Sequence, residues 1–167
     1  TGTDGPALYA QNTNATGVAI VSTVSSTDAN TVVINRGSGD LIKGFSGSMG
    51  ENMVFRVTNT GRTEVSVLTI TGGSDLSEQF DIKAGDLSLE PGMVVCIDPD
   101  DPGKLVVASR AYDRTVAGVI SGAGGINSGM IMGQEGSEAD GAYPVALTGR
   151  VYVLADATTR AIQPGDL

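Results

Sequence analysis

The stretch Met53-Val54-Phe55-Arg56-Val57-Thr58-Asn59-Thr60-Gly61-Arg62-Thr63-Glu64-Val65-Ser66-Val67-Leu68-Thr69-Ile70 decides the fold class. Two β-branched runs, Met53–Thr58 and Glu64–Ile70, flank an Asn-Thr-Gly-Arg turn, and no apolar spacing of three and four residues links them. That is the pattern of a strand, a tight turn and a returning strand. The same signature spreads in both directions. Upstream lie Ala7–Ala10, the turn Asn12-Thr13-Asn14, Gly17–Ser22, Thr31–Asn35 and Asp40–Phe45. Downstream lie Met93–Ile97, Leu105–Ala108, Thr115–Ser121, Tyr143–Gly149 and Arg150–Leu154. Strands succeed one another with no intervening helix, which excludes βαβ architecture and predicts an all-β chain. The best helical candidate is one short turn at Asp75–Phe80, with Ser74 as its cap and Glu78 near it.

Composition narrows the function classes. Of 167 residues 40% are hydrophobic but only 4% aromatic, with no Trp and no His. Without His, the usual Ser-His and Cys-His nucleophile pairs are excluded. A carbohydrate-binding platform usually needs more exposed aromatic surface than four Tyr and three Phe provide. The single cysteine, Cys96, excludes an intrachain disulfide and lies in the apolar run Met93–Ile97, as a buried small hydrophobe would. No apolar run approaches the ~20 residues that span a bilayer as a helix.

The charge is −9, and it is unevenly placed. Residues 1–70 hold five acids and four bases, while residues 71–167 hold fourteen and six. An acidic surface lacks the Lys and Arg that attract phosphate, so nucleic acid is not an expected partner. The two halves also differ in apolar content. Residues 1–72 read as a thin, Ser/Thr/Asn-rich β segment that buries too little on its own and calls for a core shared between copies, best in a cyclic trimer. Residues 73–167 read as a compact β-barrel or sandwich domain, with Gly72-Gly73-Ser74 as the hinge. Two Pro-Gly pairs, Pro91-Gly92 and Pro164-Gly165, predict type II turns that feed strands. The chain starts at Thr1 and stops just after the second such turn, so a segment of a longer polypeptide, truncated after Leu167, is expected.

Three stretches resemble known fibre proteins. Val54–Arg62 resembles the F-R-V-x-x-x-G strand and turn near the end of phage tail-fibre and bacterial surface-fibre shafts. Gly72–Phe80 resembles the G-x-D-x-A-E-x-F junction that follows, with Ser77 in place of the usual Ala. Glu90–Val95 through Ala117–Gly122 resembles the C-terminal module attached there, of the peptidase G2-like or chaperone-like kind. This resemblance spans residues 50–167. It implies an intertwined shaft followed by a small domain, in a homotrimeric structural component of an extracellular or virion fibre. The expected partners are other copies of the chain, and a host surface or other appendage or virion proteins. The motifs Pro91–Val95, Gly103–Ala108, Val116–Ile120 and Leu147–Val153 also resemble trimeric capsid decoration proteins, which is the alternative. A self-cleaving intramolecular chaperone domain is the second alternative, with Ser74 and Ser77 the nearest hydroxyls to the junction.

Candidate sites are few, and no catalytic residue is assigned. Asp98, Asp100 and Asp101 offer oxygen ligands of the kind Ca²⁺ takes, but they lack EF-hand spacing, and the flanking Pro99 and Pro102 fit a hairpin connection. No cofactor is expected beyond that calcium alternative. The acidic stretch Gln134–Asp140 reads as a solvated loop. Gly122-Ala123-Gly124-Gly125-Ile126-Asn127 has the glycine content of a phosphate cradle without the Lys-Ser/Thr pair, and reads as a hairpin or interface loop. Gly124, Gly125, Ile126 and Asn127 are therefore interface or receptor contacts, together with Arg110, Tyr112 and Arg114, where two cations flank an aromatic.

Overall fold

In the computed structural model, residues 33–47 and 50–166 are described. Strands expected at Ala7–Ala10 and Gly17–Ser22, the turn at Asn12–Asn14, and the start of the one at Thr31–Asn35 lie outside those residues. The structure is all-β, with 33% of the described residues in strands and 2% helical. It divides into two compact units, Thr1–Leu68 and Thr69–Leu167.

The first unit contains a three-stranded antiparallel meander: β1 (Ile42–Ser46), β2 (Asn52–Val57) and β3 (Thr63–Val65). The turn between β2 and β3 closes with Gly61 N–H donating to Thr58 O at 3.1 Å and Thr58 N–H donating to Arg62 O at 2.9 Å. Gly61 sits at φ 84°, a left-handed conformation that a side chain would strain. Register then sorts the side chains by face. Phe55 pairs with Val65, Arg56 with Glu64 and Lys43 with Arg56. Arg56, Lys43 and Glu64 therefore share one face, where Arg56 reaches Glu64 at 2.7 Å and Lys43 reaches Asp40 at 3.2 Å. A bulge between Gly44 and Phe45 brings Phe45 opposite Met53. Ile42, Phe45, Met53, Phe55, Val57 and Val65 thus line the opposite, apolar face. Among the described residues of this unit none is buried.

The second unit is one seven-stranded sheet curled into a half-barrel, rather than a closed barrel or a two-layered sandwich. Its strands are β4 (Asp75–Phe80), β5 (Ile82–Lys83), β6 (Val94–Ile97), β7 (Leu105–Val107), β8 (Val116–Ile120), β9 (Met130–Met132) and β10 (Tyr143–Gly149). Their order is β5-β7-β6-β8-β10-β4-β9, antiparallel except at the two edges, where β5 runs parallel to β7 and β9 parallel to β4. The core is Val95, Leu105, Ile120 and Val145, with Phe80, Ile82, Leu89, Met93 and Ala117 packed against it. Cys96 is buried and free. Gly118 lies where β8 meets β10, and a Cβ there would stand 2.7 Å from Val145 Cγ1. Both Pro-Gly pairs form type II turns. Gly92 (φ 96°) and Gly165 (φ 97°) follow the prolines, and Met93 N–H and Asp166 N–H donate back to Glu90 O and Gln163 O.

Four sequence expectations are corrected. Asp75–Phe80 is a strand, not a helical turn: Asp75 and Ser77 face inward, so polar residues occupy positions where a strand normally shows apolar ones. Ser74 does not cap a helix; its hydroxyl donates to Arg150 O at 2.9 Å. Arg150–Leu154 and residues 33–35 belong to no strand. Gly73 lies close against the Ser128 and Gly129 backbone, which a Cβ at that position would meet.

Candidate functional site

The second unit carries an open groove of about 1480 Å³. The sheet supplies Met93, Val94, Val107, Val116 and Val119, and the segment beyond β10 supplies Val153, Leu154 and Ile162. That segment is held against the sheet by Leu154 N–H, which donates to Gly92 O at 2.8 Å. Val116, Val153, Leu154 and Ile162 each keep about half their surface exposed (49%, 48%, 55% and 49%), so one copy of the chain leaves the groove apolar and open.

Arg110, Tyr112 and Arg114 line this groove, on the connection between β7 and β8. Arg110 Nε donates to Asp113 Oδ2 at 2.7 Å, and Asp113 Oδ1 accepts from Thr115 N–H (2.9 Å) and Thr115 Oγ1 (2.7 Å). The Arg110 guanidinium, followed by these Thr115 bonds, holds the Asp113 carboxyl well below the usual carboxylate range. The clamp closes a tight turn at whose apex Tyr112 has φ 57°, the one non-glycine positive φ among the described residues. A left-handed tyrosine is uncommon and persists where its surroundings over-determine it. Here it carries an exposed ring at the groove rim.

Gly124, Gly125, Ile126 and Asn127 do not line the groove. Ala123–Gly125 form a single 3₁₀ turn. The loop crosses from β8 to β9, which are not sheet neighbours, so it is not a hairpin. Gly124 (φ 62°) is required there because a Cβ would enter the Tyr152 ring. Asn127 O accepts from Ser74 N–H at 3.2 Å, which ties the loop to the start of β4.

The Asp98–Gly103 segment is the hairpin connection between β6 and β7, with Lys104 N–H donating to Asp101 O at 2.8 Å. Asp98 is buried, with Oδ2 2.5 Å from Lys83 Nζ and Oδ1 accepting from Asp100 N–H at 2.9 Å. Both oxygens are thus engaged with the protein itself. Lys83, then the Asp100 N–H, lowers the Asp98 pKa, and Asp98 raises that of Lys83. Among the described residues no group of three acidic, Cys or His side chains is arranged to hold a metal ion. Beside this hairpin, Asp81, Lys104, Glu138 and Asp140 border a polar hollow of about 490 Å³, where Lys104 pairs with Asp81 at 2.7 Å.

A buried polar network went unforeseen in the sequence. Ser77 Oγ donates to Asp75 Oδ2 at 2.5 Å, and Ser128 Oγ donates to Ser121 Oγ at 2.8 Å. The Ser77 and Ser128 oxygens stand 3.1 Å apart. Ser77, Asp75 and Ser121 are all buried, and Asp75 Oδ1 has no hydrogen-bond partner. Residues from β4, the end of β8 and the loop before β9 meet here. The paired appearance of Asp and Ser two apart, Asp75 and Ser77, is the only signal a sequence offers for it. No described helix is long and apolar enough to cross a membrane.

No protein-family model matches the chain, and no curated protein and no solved structure matches it.

Proposed function

We propose that the chain is a structural segment of a homo-oligomeric fibre or appendage, extracellular or virion-borne, in which the first unit forms a shaft with a core shared between three copies. One observation carries the reading. The first unit has a sheet with the Arg56–Glu64 and Lys43–Asp40 ion pairs on one face and six apolar side chains on the other, yet none of its described residues is buried. Ile42, Phe45, Met53 and Val65 remain 44%, 55%, 44% and 39% exposed. A three-stranded sheet is stable in water only when its apolar face is covered, and monomers rarely expose contiguous patches of this kind. Cyclic symmetry covers the face with the same face of other copies. The resemblance of residues 50–167 to fibre C-terminal regions supports the same reading.

Negative-stain electron microscopy of the chain tests it. Elongated particles with threefold averages are expected. A homogeneous field of small single-chain particles would overturn the proposal.

A further inference from the structure

The rim of the apolar groove differs in charge from the rest of the chain. Three arginines (Arg110, Arg114, Arg160) and three aspartates (Asp113, Asp156, Asp166) line it, so it is neutral. The whole chain has 10 bases against 19 acids, and its entire excess of −9 therefore lies away from the groove. Four of the six rim charges are matched in place. Arg110 pairs with Asp113 at 2.7 Å, and Arg160 pairs with both oxygens of Asp166 at 2.8 and 3.0 Å. Arg114 and Asp156 remain, both exposed and neither in an ion pair among the described residues.

One unmatched cation and one unmatched anion flank a surface on which Val116, Val153, Leu154 and Ile162 stand half-exposed. A strongly basic partner would be steered to the acidic surfaces elsewhere, and an acidic partner finds no net positive field here. A second copy of this chain fits best. Acidic copies repel each other least where the excess charge is absent, and the two unmatched groups complement each other. We propose that the groove is a homotypic interface in which Arg114 of one copy pairs with Asp156 of the next, over apolar contacts made by Val116, Val153, Leu154 and Ile162. Because both copies use the same groove, the contact is isologous: Arg114 and Asp156 of each copy meet Asp156 and Arg114 of the other across a twofold axis. This inference rests on the homo-oligomeric reading above and adds a second contact to it, separate from the sheet of the first unit.

Sedimentation velocity on the full chain, with Arg114→Asp, Asp156→Arg and the double swap, tests it. Both side chains are exposed, so the variants retain the fold, which far-ultraviolet circular dichroism verifies. Each single reversal is expected to raise the concentration needed for assembly by roughly tenfold, and the double swap to restore it to within about threefold. Assembly unaffected by either reversal, as when a foreign apolar ligand or peptide fills the groove, would overturn the inference. So would a double swap as weak as the two single effects combined. A wild-type chain that is monomeric at every concentration overturns both this inference and the homo-oligomeric reading. An assembled chain insensitive to the reversals overturns the groove alone.

Discussion

Replacing Phe45 by alanine separates a covered sheet from a free one. Phe45 lies on the apolar face of the first unit and keeps 55% of its surface exposed in the single chain. On an aromatic side chain of roughly 200 Å², about 110 Å² is therefore left for other copies to cover. At 25 cal/mol per Å² that burial contributes up to about 2.7 kcal/mol per chain, or about 8 kcal/mol for three chains. Eight kcal/mol corresponds to nearly six decades in a trimer association constant, because 1.4 kcal/mol is tenfold. The concentration midpoint varies as the inverse square root of that constant, so it shifts by up to about a thousandfold. Analytical ultracentrifugation over a dilution series reads the midpoint directly. Val54→Ala is the matched control, since Val54 alternates onto the ion-paired face, and it changes stability by no more than about 0.5 kcal/mol. A Phe45→Ala midpoint within threefold of wild type would refute the shared-core argument, because an aromatic that stays solvated loses nothing on truncation.

Three further outcomes follow from the second unit. Val145→Ala, at a fully buried position in the core, removes about 1.6 kcal/mol of transfer free energy plus a cavity contribution, so urea unfolding should show a loss of about 2–3 kcal/mol with an unchanged m value. A loss below about 0.5 kcal/mol would show that the four-residue cluster is not the core. The Asp98–Lys83 pair stabilises the fold in a defined pH window. The Asp98 pKa is lowered on folding, so its contribution is full above the ordinary carboxylate pKa of about 3.9 and is lost as pH falls through the folded value. The Lys83 pKa is raised, so its contribution persists below about pH 10.4 and is lost as pH rises through the folded value. The Tm gap between wild type and Asp98→Asn should therefore shrink from about pH 5 towards pH 2, and a gap independent of pH would contradict the pairing. EDTA and added calcium should leave Tm unchanged, since Lys83 and the Asp100 N–H engage both oxygens of Asp98; a calcium-dependent rise would reinstate Asp98, Asp100 and Asp101 as ligands.

Much of the architecture was legible where a residue's local preference agrees with its place in the fold. The β2–β3 turn follows from Gly61, which accepts a left-handed φ, and both type II turns follow from a proline before a glycine. The strands at Val94–Ile97, Leu105–Val107, Val116–Ile120 and Tyr143–Gly149 are runs of β-branched or apolar residues bounded by turn formers. What was misread turns on tertiary context. Asp75–Phe80 hides a strand because its inward positions are an aspartate and a serine, which bond to each other beside the Ser128 and Ser121 hydroxyls. Arg150–Leu154 has strand composition but joins no strand; its Arg150 and Leu154 N–H groups donate instead to Ser74 O and Gly92 O, in two separate parts of the unit. Met130–Met132 pairs in parallel with β4, a long-range contact that no periodicity in three residues can announce. Arg110, Tyr112 and Arg114 were singled out because two cations flank an aromatic. Their position on the groove depends on the Arg110–Asp113 clamp, and Asp156 and Arg160 join them from some forty residues further along the chain.

The mass of the assembled chain in solution bears most directly on whether the apolar face of the first unit is shared. Light scattering coupled to size exclusion should give three times the 16.9 kDa of one chain, holding constant on dilution until the midpoint is reached. A mass of 16.9 kDa at every concentration, with the fold intact, would contradict it.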